Sequence, residues 1–221
     1  MEEELNMDQT ILPELEDHKI IAIIRGIPSG TGEKVASALY EGGIRFLEIT
    51  LNTEGALDMI SNLKKKFGGR MKVGAGTVLS VEEAKASIDA GAEYIVSPYF
   101  DEEVVTYCLA KGVSVWPGTM TPTEMMRATN LGAPAVKVFP VGALGMKYIK
   151  DVRGPLGHIP MIATGGVNLN NIEEVLQYGV KAVGLGGSLV NNKLIAEGNY
   201  EEMTRLARAY VTKVQGGVVH G

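Results

Sequence analysis

Two ionisable side chains stand inside short apolar runs, where a charge is costly unless it has a partner. Lys137 lies within residues 135–139, and Glu48 lies within residues 46–51. Apolar residues flank both of them at alternating positions, which is the pattern of buried β-strands. A lysine removed from water beside a carboxylate can attack a carbonyl carbon and form a Schiff base. We therefore expect Lys137 to be a nucleophile and Glu48 to be a general acid and base.

The same two residues also have a structural interpretation. Lys137 and Glu48 could form a buried ion pair without chemistry, or Lys137 could extend its amine to solvent. Their position on the inner faces of predicted strands favours the chemical interpretation.

Two polar residues at the ends of other apolar runs are candidates for binding a substrate carboxylate. Arg25 follows residues 20–24, and its guanidinium has the forked donors that fit a carboxylate. Thr77 closes the segment Gly-Ala-Gly-Thr at residues 74–77 and could donate its hydroxyl to the same group. A solvated arginine at the start of a loop and a threonine that caps a helix are the competing interpretations.

Two glycine-rich segments predict a phosphate site. Residues 164–167 read Thr-Gly-Gly-Val, and residues 184–188 read Gly-Leu-Gly-Gly-Ser. Glycine lets backbone N–H groups approach phosphate oxygens, and α/β barrels often bind phosphate between the loops after strands seven and eight. Ordinary tight turns are the competing interpretation. The residues expected to contact substrate there are Thr164, Gly165, Gly166, Gly186, Gly187 and Ser188.

Metal and thiol chemistry are not expected. The histidines, His18, His158 and His220, lie away from the ends of the predicted strands and lack the spacing of metal ligands. Cys108 is the one cysteine and falls in an apolar periodic stretch, which predicts a buried, inert thiol. A single cysteine cannot form an internal disulfide and favours a reducing compartment. We expect neither a metal nor a cofactor.

The elements that must position these residues recur along the chain. Eight short apolar runs lie roughly 20–26 residues apart, which is the spacing of a strand, a loop and a helix. The predicted strands are residues 20–24, 46–51, 71–74, 94–96, 113–116, 135–139, 161–163 and 182–185. Between them, segments such as 33–39 and 81–86 have apolar residues at three- and four-residue intervals, as in helices.

Eight strand–helix units with parallel-sheet character predict a (β/α)8 barrel over residues 1–221, as a single domain with a leading helix at residues 1–16. A doubly wound open sheet is the rival. In a barrel, alternation places Glu48 and Thr50 inside, with Lys137 and Phe139 inside on another strand. The carboxyl ends of the strands would then form the active site.

Glycine accounts for 28 of the 221 residues, nearly twice its usual share of about 7%. One predicted set closes helices, and alanine there is expected to lower stability: Gly43, Gly69, Gly91, Gly112, Gly132 and Gly179. A second set lies at the strand ends, and alanine there is expected to lower substrate binding in a folded protein: Gly74, Gly76, Gly118, Gly165, Gly166, Gly186 and Gly187.

The charge and hydropathy of the chain exclude some classes of binding partner. The formal net charge is −5, without a basic block, which argues against nucleic-acid and membrane-surface partners. No apolar run approaches the roughly 20 residues that span a bilayer, and the acidic start of the chain is unlike a signal peptide. A cytoplasmic protein that acts on a small molecule is expected.

Taken together, the motifs resemble the bacterial 2-keto-3-deoxy-6-phosphogluconate (KDPG) and 4-hydroxy-2-oxoglutarate (KHG) aldolases over about residues 15–215. The resemblance is carried by Leu-Glu-Ile-Thr at 47–50, Gly-Ala-Gly-Thr-Val at 74–78, Ser-Pro at 97–98, Pro-Gly at 117–118, Lys-Val-Phe-Pro at 137–140, Thr-Gly-Gly at 164–166 and Gly-Gly-Ser at 186–188.

The resemblance implies a class I aldolase of Entner–Doudoroff-type carbohydrate metabolism that releases pyruvate, and a homotrimer. It assigns the Schiff base to Lys137 and acid/base catalysis to Glu48. It places carboxylate binding near Arg25 and Thr77, a pyruvate pocket lined by Pro98 and Phe139, and phosphate on the two glycine loops. A phosphorylated keto-deoxy sugar acid is the implied substrate.

One departure leaves the substrate open. Many KDPG-cleaving members have an arginine four residues after the glutamate, where this chain has Asn52. Its substrate contacts pass to Arg25, or the substrate is the epimeric 2-keto-3-deoxy-6-phosphogalactonate. A sugar-phosphate barrel enzyme without a Schiff base and a non-catalytic phosphosugar-binding protein also stay open.

Overall fold

Nine parallel strands form one sheet in a computed structural model, which describes residues 11–216. The order along the sheet is β5-β4-β3-β2-β1-β9-β8-β7-β6. The strands are β1 (Ile20–Ile24), β2 (Phe46–Thr50), β3 (Lys72–Gly76), β4 (Tyr94–Val96), β5 (Ser114–Trp116), β6 (Gly118–Thr119), β7 (Val136–Val138), β8 (Met161–Thr164) and β9 (Ala182–Leu185).

The sheet closes into a barrel through an interrupted strand. β5 and β6 lie at opposite ends of the sheet order, yet Pro117 alone separates them in the chain. β5 pairs with β4, and β6 pairs with β7. Proline has no N–H to donate to a ladder, which fits a break at this position. The Pro117 carbonyl accepts a hydrogen bond from the N–H of Lys137 at 2.9 Å, which connects the break to β7.

Helices fill the connections between strands. Several begin at a side chain that accepts a backbone N–H, as Ser80 does from Glu83 (3.2 Å) and Asp101 from Val104 (2.9 Å). The helices are α1 (Ile11–His18), α2 (Gly32–Glu41), α3 (Ala56–Phe67), α4 (Val81–Asp89), α5 (Glu102–Ala110), α6 (Pro122–Asn130), α7 (Val141–Leu144), α8 (Lys147–Leu156), α9 (Ile172–Gln177), α10 (Asn192–Ala196) and α11 (Tyr200–Gly216).

Alternation along the strands separates two apolar clusters. Outward residues such as Leu47, Ile49, Val136 and Val138 pack against the helices. Inward residues fill one end of the barrel interior, where the rings of Tyr94 and Trp116 stack at 4.4 Å. The remaining members of the inner cluster are Ile21, Phe46, Val96, Ala135, Ile162, Ala182 and, from α1, Leu15.

The predicted barrel is confirmed, and the open sheet is wrong, because the strand order closes through the segment around Pro117. The eight predicted strands all occur, with ends that differ by one or two residues, while the two-residue strand β6 was not predicted. A leading helix is present from residue 11 to residue 18, and residues 1–10 of the predicted one lie outside the described residues.

The glycines predicted to close helices have the backbone conformation that this role needs. All six have positive φ, a region that an L side chain enters at a cost. The values are 98° at Gly43, 77° at Gly69, 101° at Gly91, 66° at Gly112, 96° at Gly132 and 86° at Gly179.

Candidate active site

Lys137 and Glu48 meet inside the barrel. The Lys137 Nζ lies 3.9 Å from the Glu48 Oε1, and the two side chains are 5% and 2% exposed. The Nζ also lies 5.3 Å from the centre of the Phe139 ring. The Glu48 Oε1 is buried and has no hydrogen-bond partner among the residues that the structure describes. At 3.9 Å the pair attracts without a direct hydrogen bond, which leaves polar groups available to a third partner.

Two glycines make room for this pair. A Cβ at Gly76 would overlap the Glu48 carboxylate, and a Cβ at Gly118 would overlap the backbone of Pro98. Gly118 is paired with Lys137 in the sheet, so its close approach to Pro98 sets the spacing of the barrel beside the lysine. The absence of a side chain at both positions is therefore a packing requirement of the site.

Gly74 and Gly118 behave differently from the prediction that alanine at the strand ends mainly lowers substrate binding. A Cβ at Gly74 would overlap the ring of Tyr94, which is fully buried. Both glycines serve the packing of the barrel, whereas a Cβ at Gly186 or Gly187 would meet no atom within 4 Å. The glycines at the strand ends thus have two roles: some allow close packing of the barrel, and others leave the cavity open.

Arg25 reaches from the end of β1 toward Thr77 at the end of β3. The Arg25 guanidinium donates to the Thr77 Oγ1 at 3.4 Å, and the Arg25 side chain is exposed. Thr77 has φ of 54°, an uncommon conformation for a residue with a side chain. The two predicted carboxylate-binding residues are therefore neighbours at the barrel mouth.

A pair of buried threonines holds the backbone on both sides of Arg25. The Thr50 hydroxyl donates to the carbonyl of Ile24 at 3.2 Å, and the Thr53 hydroxyl accepts from the N–H of Gly26 at 2.9 Å. The two hydroxyl oxygens lie 3.1 Å apart. This network joins the end of β2 to the end of β1 and fixes the peptide groups that flank Arg25.

A cavity of about 330 Å³ opens at this end of the barrel. It brings together most of the predicted substrate-binding residues and four that were not predicted. Sequence reasoning named Arg25, Lys137, Phe139, Thr164, Gly165, Gly166, Gly186, Gly187 and Ser188 among its lining. It missed Ile23, Val167, Asn168 and Gly184, although alternation along β1 and β9 points Ile23 and Gly184 inward.

The loop after β9 presents backbone donors to this cavity. The N–H groups of Leu189 and Val190 both donate to the Gly186 carbonyl, at 2.9 and 2.8 Å, which folds the segment into one tight turn. Among the residues that the structure describes, neither Gly187 nor Ser188 donates its backbone N–H to a protein acceptor. Gly165 and Gly166 have φ of 85° and 88° in the loop opposite. Such free N–H groups suit an anion.

Two residues that the sequence singled out lie outside the cavity lining. Pro98 is half-buried beside Gly118 rather than in the cavity lining, and Asn52 is exposed in the turn after β2. Phe139, by contrast, lines the cavity as expected.

The remaining ionisable candidates lie away from the cavity. The His18 ring packs 6.2 Å from Phe46 at the opposite end of the barrel, His158 is exposed, and His220 is outside the described residues. Cys108 is buried, as predicted, and its burial raises the thiol pKa to about 12. Within residues 11–216, no three His, Cys, Asp or Glu side chains are grouped as a metal site, and no helix could span a membrane.

Comparison with known proteins gives a consistent result over nearly the whole chain. The family model for KDPG and KHG aldolases matches residues 11–206. The 2-dehydro-3-deoxy-phosphogluconate aldolase of Treponema pallidum is 36% identical over 193 residues, which cover 84% of this chain and 91% of the relative. A probable 2-dehydro-3-deoxy-6-phosphogalactonate aldolase of Rhizobium meliloti is 34% identical over 212 residues, covering 96% and 99%.

A solved structure agrees in its fold. KDPG aldolase from Legionella pneumophila, with pyruvate captured at low pH as a covalent carbinolamine intermediate, superposes with a TM-score of 0.85 at 28% identity. The superposition covers 91% of this chain and 98% of that one. With a family model that matches most of its length and relatives above 30% identity, the chain belongs to the KDPG and KHG aldolases, a family of aldehyde-lyases.

Proposed function

We propose that the protein cleaves a 2-keto-3-deoxy-6-phospho sugar acid to pyruvate and glyceraldehyde 3-phosphate through a Schiff base on Lys137. The observation that carries this proposal is the buried Lys137 amine, which lies 3.9 Å from the Glu48 carboxylate and lines a cavity together with two glycine loops. The Legionella relative holds pyruvate as a carbinolamine, which requires an amine. In this chain, Lys137 is the lysine that lines the cavity.

The reaction begins when Lys137 gives a proton to Glu48, which frees the amine lone pair to attack the C2 carbonyl of the substrate. Glu48 moves the protons that convert the resulting carbinolamine into a protonated imine and water. Glu48 then accepts the proton of the C4 hydroxyl, and the C3–C4 bond breaks. The electron pair of that bond moves to C3 and the imine nitrogen, which gives an enamine and releases the aldehyde.

The cycle closes on the same two side chains. The Glu48 carboxylic acid returns its proton to C3 of the enamine, which regenerates the imine. Water then attacks C2, pyruvate leaves, and Lys137 is free again. The unpartnered Oε1 of Glu48 suits this exchange, because an oxygen without a fixed donor can hold a substrate proton.

The substrate's two anionic ends fit two parts of the mouth. Arg25 and Thr77 bind the carboxylate next to the ketone, while Phe139 shapes the surroundings of the pyruvate portion and Pro98 packs behind it against Gly118. The phosphate binds the backbone donors of Gly165, Gly166, Gly186, Gly187 and Ser188, with Thr164 beside them. No resident metal or cofactor is part of this proposal.

Two epimeric substrates must also be distinguished, because the relatives include both phosphogluconate and phosphogalactonate aldolases. KDPG is our first choice, with KHG as a shorter substrate that yields glyoxylate. Asn52, in place of an arginine, is the specific observation that keeps the galactonate epimer as the second candidate. Comparing kcat/KM for the two epimers and KHG decides among them.

Borohydride reduction in the presence of pyruvate tests the Schiff base. Peptide mass spectrometry is expected to find a reduced pyruvate adduct on Lys137 and to lose it in Lys137→Arg. Lys72→Arg is the matched control, because Lys72 is a half-buried lysine at the amino end of β3, paired with Glu14 at 3.3 Å. An absence of adduct from the wild-type protein would refute the mechanism.

We also propose that the enzyme is a cytoplasmic homotrimer that contributes to Entner–Doudoroff-type metabolism. Exposed apolar side chains support self-association: Leu79, Tyr99 and Met120 are 47%, 42% and 44% exposed on the loops after β3, β4 and β6. The Tyr99 hydroxyl donates to the Leu79 carbonyl at 2.9 Å, so two of these loops are joined. Light scattering coupled to size-exclusion chromatography is expected to give three times the chain mass, and Met120→Glu to reduce it.

A further inference from the structure

The C-terminal helix α11 contacts the loop that carries the proposed phosphate site. Tyr210 of this helix is 1% exposed, and its hydroxyl donates to the carbonyl of Ser188 at 3.2 Å. Tyr210 lies beyond residue 206, where the family match ends. It is not part of the cavity lining, so any effect on substrate must act through the loop.

Helix α11 is itself held firmly in place. A Cβ at Gly42 would overlap Ala207, so α11 approaches the end of α2 as closely as backbone allows. The Thr204 hydroxyl donates to the Ala38 carbonyl at 3.0 Å on the same side. On the other side, Lys213 forms a 2.6 Å ion pair with Glu173 of α9. The Tyr210 hydroxyl therefore occupies a fixed position relative to the barrel.

The hydrogen bond from Tyr210 orients one particular peptide group. The Ser188 carbonyl accepts from Tyr210, while the N–H of that same peptide, on Leu189, donates to Gly186. This fixes the peptide with its carbonyl directed to α11. A carbonyl oxygen turned to the cavity would repel an anion, whereas the present arrangement leaves the N–H groups of Gly187 and Ser188 for it.

Ser188 also connects the loop after β9, which Tyr210 holds, to the loop after β8. Its hydroxyl donates to the carbonyl of Val167 at 3.0 Å, which joins the loop after β9 to the loop after β8. The Asn171 side chain holds the same opposite loop by donating to Gly166 at 2.9 Å. Hydrogen bonds thus connect Tyr210 through Ser188 to the loop after β8, and they set the distance between the two glycine segments.

We propose that Tyr210 is a positioning residue that aligns the loop after β9 for the substrate's phosphate group. This rests on the proposed function, since it needs a phosphorylated substrate at Gly187 and Ser188. The role concerns the distal phosphate and leaves the Lys137 chemistry untouched.

The test is Tyr210→Phe, which removes one hydroxyl and keeps the ring in the core. We expect KM for the phosphorylated keto-deoxy sugar acid to rise about three- to tenfold, as for the loss of one buried hydrogen bond, with kcat little changed. KM for the same acid without its phosphate is expected to stay at the wild-type value, and so is trapping of pyruvate by borohydride. Inhibition by inorganic phosphate, measured on the phosphate-free acid, is expected to weaken by the same factor.

Tyr200→Phe is the matched control, because Tyr200 lies on the same helix and stacks with Lys34 (5.9 Å) rather than with the loop. It is expected to behave as wild type. If Tyr210→Phe equals wild type on both substrates, or raises KM equally for both, or is unfolded at the assay temperature, the positioning role is wrong. If the wild-type protein itself shows no preference for the phosphorylated acid, the phosphate site of the proposed function fails, and the role of Tyr210 fails with it.

Discussion

The Glu48 carboxylate occupies the space into which a side chain at Gly76 would project. These residues lie on neighbouring strands, β2 and β3, whose register aligns Thr50 with Gly76. The glycine at this position therefore leaves room for the Glu48 carboxylate, which lies 3.9 Å from the Lys137 amine.

Gly76→Ala is expected to displace the Glu48 carboxylate and to lower kcat by about 10²-fold, the usual effect of moving a catalytic group by about 1 Å. Gly74→Ala is the matched control, since its Cβ would overlap the buried ring of Tyr94 instead. That variant is expected to lose about 1–3 kcal/mol of stability through overpacking. Steady-state kinetics and thermal unfolding separate the two effects, and an unchanged kcat in Gly76→Ala would contradict this account.

Glu48→Gln is expected to lower kcat by about 10²–10⁴-fold, because the amide cannot exchange protons with the C4 hydroxyl or with C3 of the enamine. Trapping of pyruvate on Lys137 is expected to survive in part, since the nucleophile is still present. Rapid-quench kinetics with borohydride trapping measures both. Full activity in this variant would remove Glu48 from the mechanism.

Gly186→Ala is expected to raise KM for the phosphorylated substrate while the free energy of unfolding stays within about 0.5 kcal/mol of wild type. Its Cβ meets no atom within 4 Å and its φ is not positive, so the methyl group enters open space at the cavity. Gly43→Ala offers the opposite case. Gly43 has φ of 98°, and a Cβ there would lie 3.3 Å from the Val211 side chain. The Gly43→Ala variant is therefore expected to lose about 1–2 kcal/mol of its free energy of unfolding, with an unchanged KM.

Thr53→Val is expected to raise KM for the keto acid about two- to tenfold, because the N–H of Gly26 loses its acceptor and the backbone beside Arg25 loosens. Thr53→Ser keeps the hydroxyl and is expected to restore the wild-type KM. Pyruvate titration followed by borohydride trapping reports binding of the carboxylate directly. Equal values in the valine and serine variants would show that the hydroxyl does not position Arg25.

Cys108 is expected to resist alkylation in the native protein. Burial raises its pKa to about 12, so almost no thiolate is present at pH 8, and the side chain is enclosed as well. Iodoacetamide labelling followed by mass spectrometry is expected to modify the residue in denaturant and not in buffer. Rapid labelling of the folded protein would show that the helix α5 opens readily.

Local periodicity was enough to predict where Lys137 and Glu48 point. Each lies in a strand whose apolar residues alternate with it, and period-two alternation determines the face. The strand β6 escaped prediction because two residues beside a proline carry no periodic signal. The helix-closing glycines were predictable, since positive φ is a local property of the chain.

Contacts between distant segments were beyond the sequence. Thr53 and Gly26 are 27 residues apart, and Tyr210 and Ser188 are 22 apart. In each case one side chain meets one backbone group, and such a meeting depends on how whole elements pack rather than on any pattern of residue types. The packing roles of Gly74 and Gly118 were missed for the same reason.

The break at Pro117 gives the reacting pair a further property. It divides the ladder into an amino-terminal half, β1 to β5, and a carboxy-terminal half, β6 to β9. Glu48 belongs to the first half and Lys137 to the second, and the two halves meet again at the pairing of β1 with β9. Neither half holds both reacting groups. Catalytic activity therefore requires that the two halves have folded and packed together, and its recovery during refolding would measure the closed barrel.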